Sequence, residues 1–273
     1  MNRRVSQMSK FVASCMAVAF VVVTCTAALA GVREGDEPSH YLPATGLDLL
    51  AVLPPAPRPD DARGRADRQI FRETRKLAGT PRWVLATNDV KLDDADMARD
   101  FSCALGVSLT PQNAPTTIRL IDAAGSDTAR QTGIAKNYYK RQRPYLIDRG
   151  PVCQPASELK ASYDYPSGHT TAGWTWAMLL AELAPDRATP ILARGRAFGE
   201  SRIVCGVHNA SAVEAGRLSA TVTLTALSQN PAFQRDLATA RAEIDALRRD
   251  PEAPRPDAAE CRREAALVAQ PIF

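Results

Sequence analysis

Residues 165–185 read YPSGHTTAGWTWAMLLAELAP, and the fold class turns on them. A Pro-Ser-Gly turn leads into a run whose apolar residues spread beyond one helical stripe, with Pro185 at its end. A helix that apolar is buried on most sides, so other helices must pack around it.

The flanking sequence supplies them. DRQIFRETRKLAG (67–79) sets Ile70, Phe71, Thr74 and Leu77 at helical spacing before a glycine stop, with the pattern starting at Arg68. LDDADMARDFSCALG (92–106) has an acidic first turn and ends on Gly106. Residues 110–144 read as one or two helices ending before Pro144, and 189–206, 211–231 and 231–250 as further helices. Convincing alternating strands are absent. The expected architecture is a single-domain, all-α helical bundle over residues 68–273. Residues 31–67, which include VLPPAPRPDD, read as an extended arm, and the tail from Pro251 is proline-rich and charged.

The first thirty residues read as a signal peptide. Arg3, Arg4 and Lys10 precede an apolar run that ends in Ala28-Leu29-Ala30, a small-x-small cleavage signal. Export to a bacterial periplasm is the expectation. Of 34 basic and 30 acidic residues, cleavage removes three basic ones and leaves a formal charge of +1. That balance gives no electrostatic case for non-specific nucleic-acid binding. No later run is long and apolar enough to span a membrane. Four cysteines remain, Cys103, Cys153, Cys205 and Cys261. In an oxidising compartment they suggest two disulfides, with three pairings open.

Three clusters carry chemistry. In KNYYKRQRP (136–144), Lys136 and Arg143 lie seven apart, two helical turns, and so share a face before Pro144 ends the helix. Alone, such a basic run is usually a solvated surface. In YPSGH, Ser167, Gly168 and His169 stand at a helix start, where free N–H groups attract anions. Alone, they read as a plain N-cap and a core histidine. In SRIVCGVHNASAVEAGR (201–217), Arg202 can grip an anion with two parallel hydrogen bonds and His208 can act as nucleophile. Ser211 and Glu214 fit a capping box, so a helix is expected to begin near Ala212.

Taken together, KNYYKRQRP, PSGH and SRIVCGVH resemble the signature K-x6-R-P, P-S-G-H, S-R-x5-H-x3-D of the type 2 phosphatidic acid phosphatase superfamily, which includes vanadium haloperoxidases. Within it, the chain most resembles the bacterial class A non-specific acid phosphatases. The resemblance implies an acid phosphatase acting on phosphate monoesters without metal or cofactor, with a homo-oligomer as a further expectation. It implies that Lys136, Arg143 and Arg202, with Ser167 and Gly168, hold the phosphate. His169 would protonate the leaving alcohol, and His208 would attack phosphorus. The chain departs from the signature at its last position, where the motif aspartate is Ala212. A backbone carbonyl, a water, Asn209 or Asp164 is left to orient His208, although a single acid such as Asp164 is more often a surface residue. A phosphate-binding protein with weakened catalysis is the competing reading, and a haloperoxidase ranks below both.

Overall fold

The structure, a computed structural model, describes residues 40–273 apart from positions 44, 160 and 161. The expected signal peptide lies outside the described residues. Among these, nine α-helices and several short 3-10 turns are present and no strand. The helices are α1 (Ala62–Thr74), α2 (Pro81–Asn88), α3 (Asp94–Leu105), α4 (Pro115–Tyr139), α5 (Gly168–Leu183), α6 (Ala188–Val204), α7 (Ala210–Leu227), α8 (Pro231–Arg249) and α9 (Ala258–Ala269). The all-α expectation holds.

Local chemistry sets the ends. Asp61, Thr80, Asp93, Ser167, Asn230 and Asp257 each accept a backbone N–H as N-caps. Gly106 closes α3 in the left-handed conformation. The apolar stretch quoted first becomes α5, which packs most extensively on α6 and then on α7 and α4. Its Trp176, Leu179 and Leu180 enter the main core with Phe101, Leu105, Leu120, Ile191 and Phe198. Two glycines let α5 and α6 approach closely. A Cβ at Gly173 would lie 2.4 Å from the Phe198 ring, and one at Gly195 would lie 2.3 Å from Ala177 Cβ.

Two boundaries differ from the sequence reading. The arm gives way to helix at Ala62, because Asp61 caps α1 about two turns before Ile70 and Phe71 begin its apolar face. The Pro-rich stretch before it lies against the body, where Pro54 O accepts from Tyr165 Oη at 2.7 Å. The tail beyond Pro251 contains α9, fastened by the disulfide Cys103–Cys261. The second disulfide, Cys153–Cys205, ties the 150–155 loop to the end of α6.

Candidate active site

The last turns of α4 and α6 and the starts of α5 and α7 meet at one polar cluster, the candidate recess. Lys136 lies in the last turn of α4, which stops at Tyr139 with Lys140 left-handed (φ 47°). Arg143 is therefore in extended backbone (φ −72°, ψ 150°), and the expected shared helical face with Lys136 does not exist. Pro144 does not end the helix but opens a 3-10 turn. The two cations converge because the chain doubles back after Lys140. Arg143 donates to Ser162 O and Val207 O, each at 2.9 Å, and Lys136 Nζ bonds Tyr163 O.

Ser167 caps α5. Its Oγ accepts from Thr170 Oγ1 at 2.9 Å, and from Thr170 N, which leaves its own O–H to donate. Gly168 opens the helix, and a Cβ there would lie 3.7 Å from Lys136 Cε, so the lysine stem crosses the helix start. Arg202 is fully buried at the end of α6. One nitrogen donates to Gln154 Oε1 at 2.6 Å, while Nε and Nη1 have no hydrogen-bond partner among the described residues. Two guanidinium nitrogens left without a partner in a buried site are donors available to an anion.

The histidines have definable tautomers. Arg143 Nη1 lies 2.9 Å from His208 Nε2. Arginine can only donate, so Nε2 carries the lone pair and Nδ1 the proton. That Nδ1–H points to Asp164 Oδ1 at 3.0 Å. His169 Nε2 lies 2.9 Å from Val90 O, which can only accept, so Nε2 keeps a proton there and Nδ1 is the other available nitrogen.

Charge explains the protonation states. Burial holds His208 well below the usual histidine range, with Arg143, Lys136 and Arg202 adding to it. His169 is held well down by burial and by Arg202, against the Val90 hydrogen bond. Burial, then Arg143, lowers Lys136 to about 7, and the same causes push Arg202 down. These cations crowd one another and share an attraction for an anion.

Asp164 is fully buried rather than a surface acid. Burial pushes its carboxyl up, while Arg141, the Asn209 hydrogen bonds and Lys136 pull it back. Oδ1 accepts from His208 and from Asn209 N at 3.1 Å, and Oδ2 from Asn209 Nδ2 at 2.8 Å. Arg141 Nη1 stands 3.2 Å from Oδ2, and its other arm donates to Asp67 Oδ2 at 2.8 Å.

Comparison with known proteins gives the family. A model of the PAP2 superfamily matches residues 119–236. The chain is 40% identical over 217 residues to an acid phosphatase of Zymomonas mobilis, covering 79% of this chain and 82% of the relative. It is 36% identical over 217 residues to a non-specific acid phosphatase of Salmonella typhimurium, covering 78% and 86%. A non-specific acid phosphatase of Providencia stuartii is 34% identical over 254 residues, covering 89% of this chain and all of the relative. The chain belongs to the PAP2 superfamily and is one of its acid phosphatases.

In this acid phosphatase the recess gathers Lys136, Arg143, Ser167, Gly168, His169, Arg202 and His208, the residues that the three motifs single out. The expected capping box is not formed. Asn209 is the N-cap and α7 starts at Ala210. Ser211 is bound instead to Asp67, through N at 2.9 Å and Oγ at 2.5 Å, and Glu214 pairs with Arg63 on the surface. Three contributors were not legible from the motifs: Gln154, Val90 and the Arg141–Asp67 pair. Only Arg141 carried a signal, as a charge within the basic cluster. Asp164 was one of several candidates, and its burial against His208 singles it out.

Proposed function

We propose that the chain is an exported, metal-free acid phosphatase that hydrolyses phosphate monoesters through a phosphohistidine at His208. The observation that carries this reading is the fixed tautomer of His208, with Nδ1–H on Asp164 and the Nε2 lone pair turned toward Arg143. A phosphate in the recess takes up the free donors of Arg202, with Arg143, Lys136, the Ser167 hydroxyl and the N–H groups at the start of α5. Phosphoryl transfer needs in-line placement and neutralised equatorial oxygens, and this set provides both. Nε2 attacks phosphorus as the P–O bond to the leaving group breaks. His169 gives its Nδ1 proton to the departing oxygen. His208 becomes positively charged, and the Asp164 carboxylate offsets that charge. Water then attacks the phosphohistidine, His169 takes its proton, and phosphate leaves.

Nucleophile and acid need opposite states. The low pKa of His208 suits attack. His169 is also held low by burial and by Arg202, and a bound phosphate dianion raises it. Turnover therefore falls as pH rises through the His169 pKa of the complex, which gives an acidic optimum. Both disulfides support an oxidising compartment, in line with the N-terminal signal.

The test is p-nitrophenyl phosphate hydrolysis at acidic pH with a chelator present, on the native chain and on His208→Ala. Full activity with chelator, loss in the variant, and acid-labile phosphate trapped on His208 are expected. Chelator-sensitive turnover, or turnover that survives His208→Ala, would overturn the reading. The alternative, a phosphate-binding protein with weakened catalysis, rested on Ala212. The Asp164 contact removes its motivation.

A further inference from the structure

Ser201 precedes Arg202 in the third motif, yet its hydroxyl is committed outside the recess. Its Oγ donates to Asp89 Oδ2 at 2.5 Å and accepts from Arg82 Nη1 at 3.0 Å. Asp89 is the C-cap of α2 and fully buried. Arg194 of α6 grips the same carboxylate, at 2.7 Å on Oδ1 and 3.3 Å on Oδ2. The next residue in the chain is Val90, whose carbonyl receives the His169 Nε2–H. The carbonyl that fixes the His169 tautomer thus lies one residue beyond a carboxylate held from α6. The other restraints on that carbonyl are long turn bonds, from Val90 N–H to Thr87 O at 3.3 Å and from Lys91 N–H to Asn88 O at 3.4 Å, and the packing of the Val90 side chain against a buried cluster.

We propose that Asp89 and Ser201 are positioning residues for the proton donor, holding the Val90 carbonyl so that His169 presents Nδ1 to the leaving group. The two neighbouring motif residues then divide the work. Arg202 serves the phosphate, and Ser201 serves the histidine on the far side of it. A tilt of the Val90 peptide would let His169 rotate away or exchange tautomers, and misplacement of about 1 Å is enough to cost roughly a hundredfold in rate. This inference rests on His169 as general acid, so its test must separate the two.

The leaving group provides the separation. A p-nitrophenolate departs with little help from a proton, whereas an alkoxide needs one. kcat/KM is measured for p-nitrophenyl phosphate and for glycerol phosphate on the native chain, His169→Ala, Ser201→Ala and Asp89→Asn. General acid catalysis is worth about 10²–10⁴-fold, so His169→Ala should lose at least about a hundredfold more on the alkyl ester than on the aryl ester. Ser201→Ala and Asp89→Asn should lose about tenfold more on the alkyl ester, a part of that effect. Neither should add further loss in the His169→Ala background. Inhibition by inorganic phosphate, unchanged in both, reports an intact recess. If one variant fails to fold, the other carries the test. Equal losses on both esters, with His169→Ala still selective, would overturn the positioning role alone. A non-selective His169→Ala would overturn the acid assignment and this inference with it.

Discussion

Asp164 and Ala212 sit on different segments, and together they explain a missing motif residue. The motif places its carboxylate four positions after the histidine, one helical turn into α7. There the chain has Ala212, fully buried in an apolar cluster with Leu49, Leu53, Tyr165 and Ala215. The carboxylate comes instead from the segment before α5, where Asp164 reaches the same imidazole nitrogen. Arg141 and Asn209 compensate its charge. Asp164→Asn should therefore lower kcat by about 10²–10⁴-fold, by analogy with the loss of a histidine-orienting acid. Ala212→Asp alone should not improve the enzyme. It sets a carboxylate among apolar side chains beside an existing one, at a cost of about 3–5 kcal/mol. Thermal unfolding and p-nitrophenyl phosphate kinetics check both. The exchange Asp164→Ser with Ala212→Asp should recover part of the lost rate, and an exchange as inactive as Asp164→Asn would show that position 212 no longer addresses His208.

The end of α6 carries Arg202, and three devices hold it. Arg75 donates to Ile203 O at 2.7 Å and Val204 O at 2.8 Å, which satisfies carbonyls at the helix end. Gly206 turns the chain with φ 78°, a conformation that disfavours other residues. The Cys153–Cys205 disulfide sets Gln154 against Arg202. Gln154 fixes one arm of the guanidinium and leaves the other two nitrogens without a partner among the described residues. Gln154→Ala should raise KM and the inhibition constant for phosphate about tenfold, the value of one hydrogen bond to a charged group, with kcat little changed. A variant with unchanged KM would show that the guanidinium needs no such anchor. The cysteine count pointed to two disulfides, but their pairing and the anchors Gln154 and Arg75 were not legible in sequence, because these contacts join residues 48 and 128 apart in the chain. The helices were legible, since apolar spacing and cap residues act locally, as α3 between Asp93 and Gly106 shows. The capping box at Ser211 failed because Asp67, far off in sequence, competes for that serine. The motif residues gathered as expected, yet the Lys136–Arg143 pair does so through a turn rather than a helix face.

Charge also ties the elements into one body. Arg194 on α6 is fully buried and faces Asp89 after α2, Asp100 on α3 and Glu264 on α9. Asp100 Oδ2 has no hydrogen-bond partner among the described residues, and Arg99 approaches Oδ1 at 3.3 Å. Burial raises the Asp100 carboxyl to about 6, with Asp89 adding to it and Arg194 and Arg99 opposing. The native state therefore holds this proton more tightly than the unfolded chain. The associated stability is present below the unfolded value of 3.8 and is lost as pH rises to about 6. Asp100→Asn should stabilise the protein at pH 7 relative to the native chain by up to about 2–3 kcal/mol. The gain should vanish near pH 4, as denaturant unfolding at the two pH values would show. A pH-independent difference would mean that Asp100 stays ionised in the fold.

The depth of the recess has one more consequence. Arg143, Ser167, Arg202 and His208 lie buried at its floor, and only Lys136, Gly168 and His169 are partly exposed. On the proposed reading such a floor would take the terminal PO3 group and leave the rest of the molecule toward solvent. It would read a phosphate and be blind to the body that carries it. A phosphate esterified on two sides would have to thread its second chain through the packed floor, so the backbone of a nucleic acid or the bridge of a phospholipid should resist cleavage.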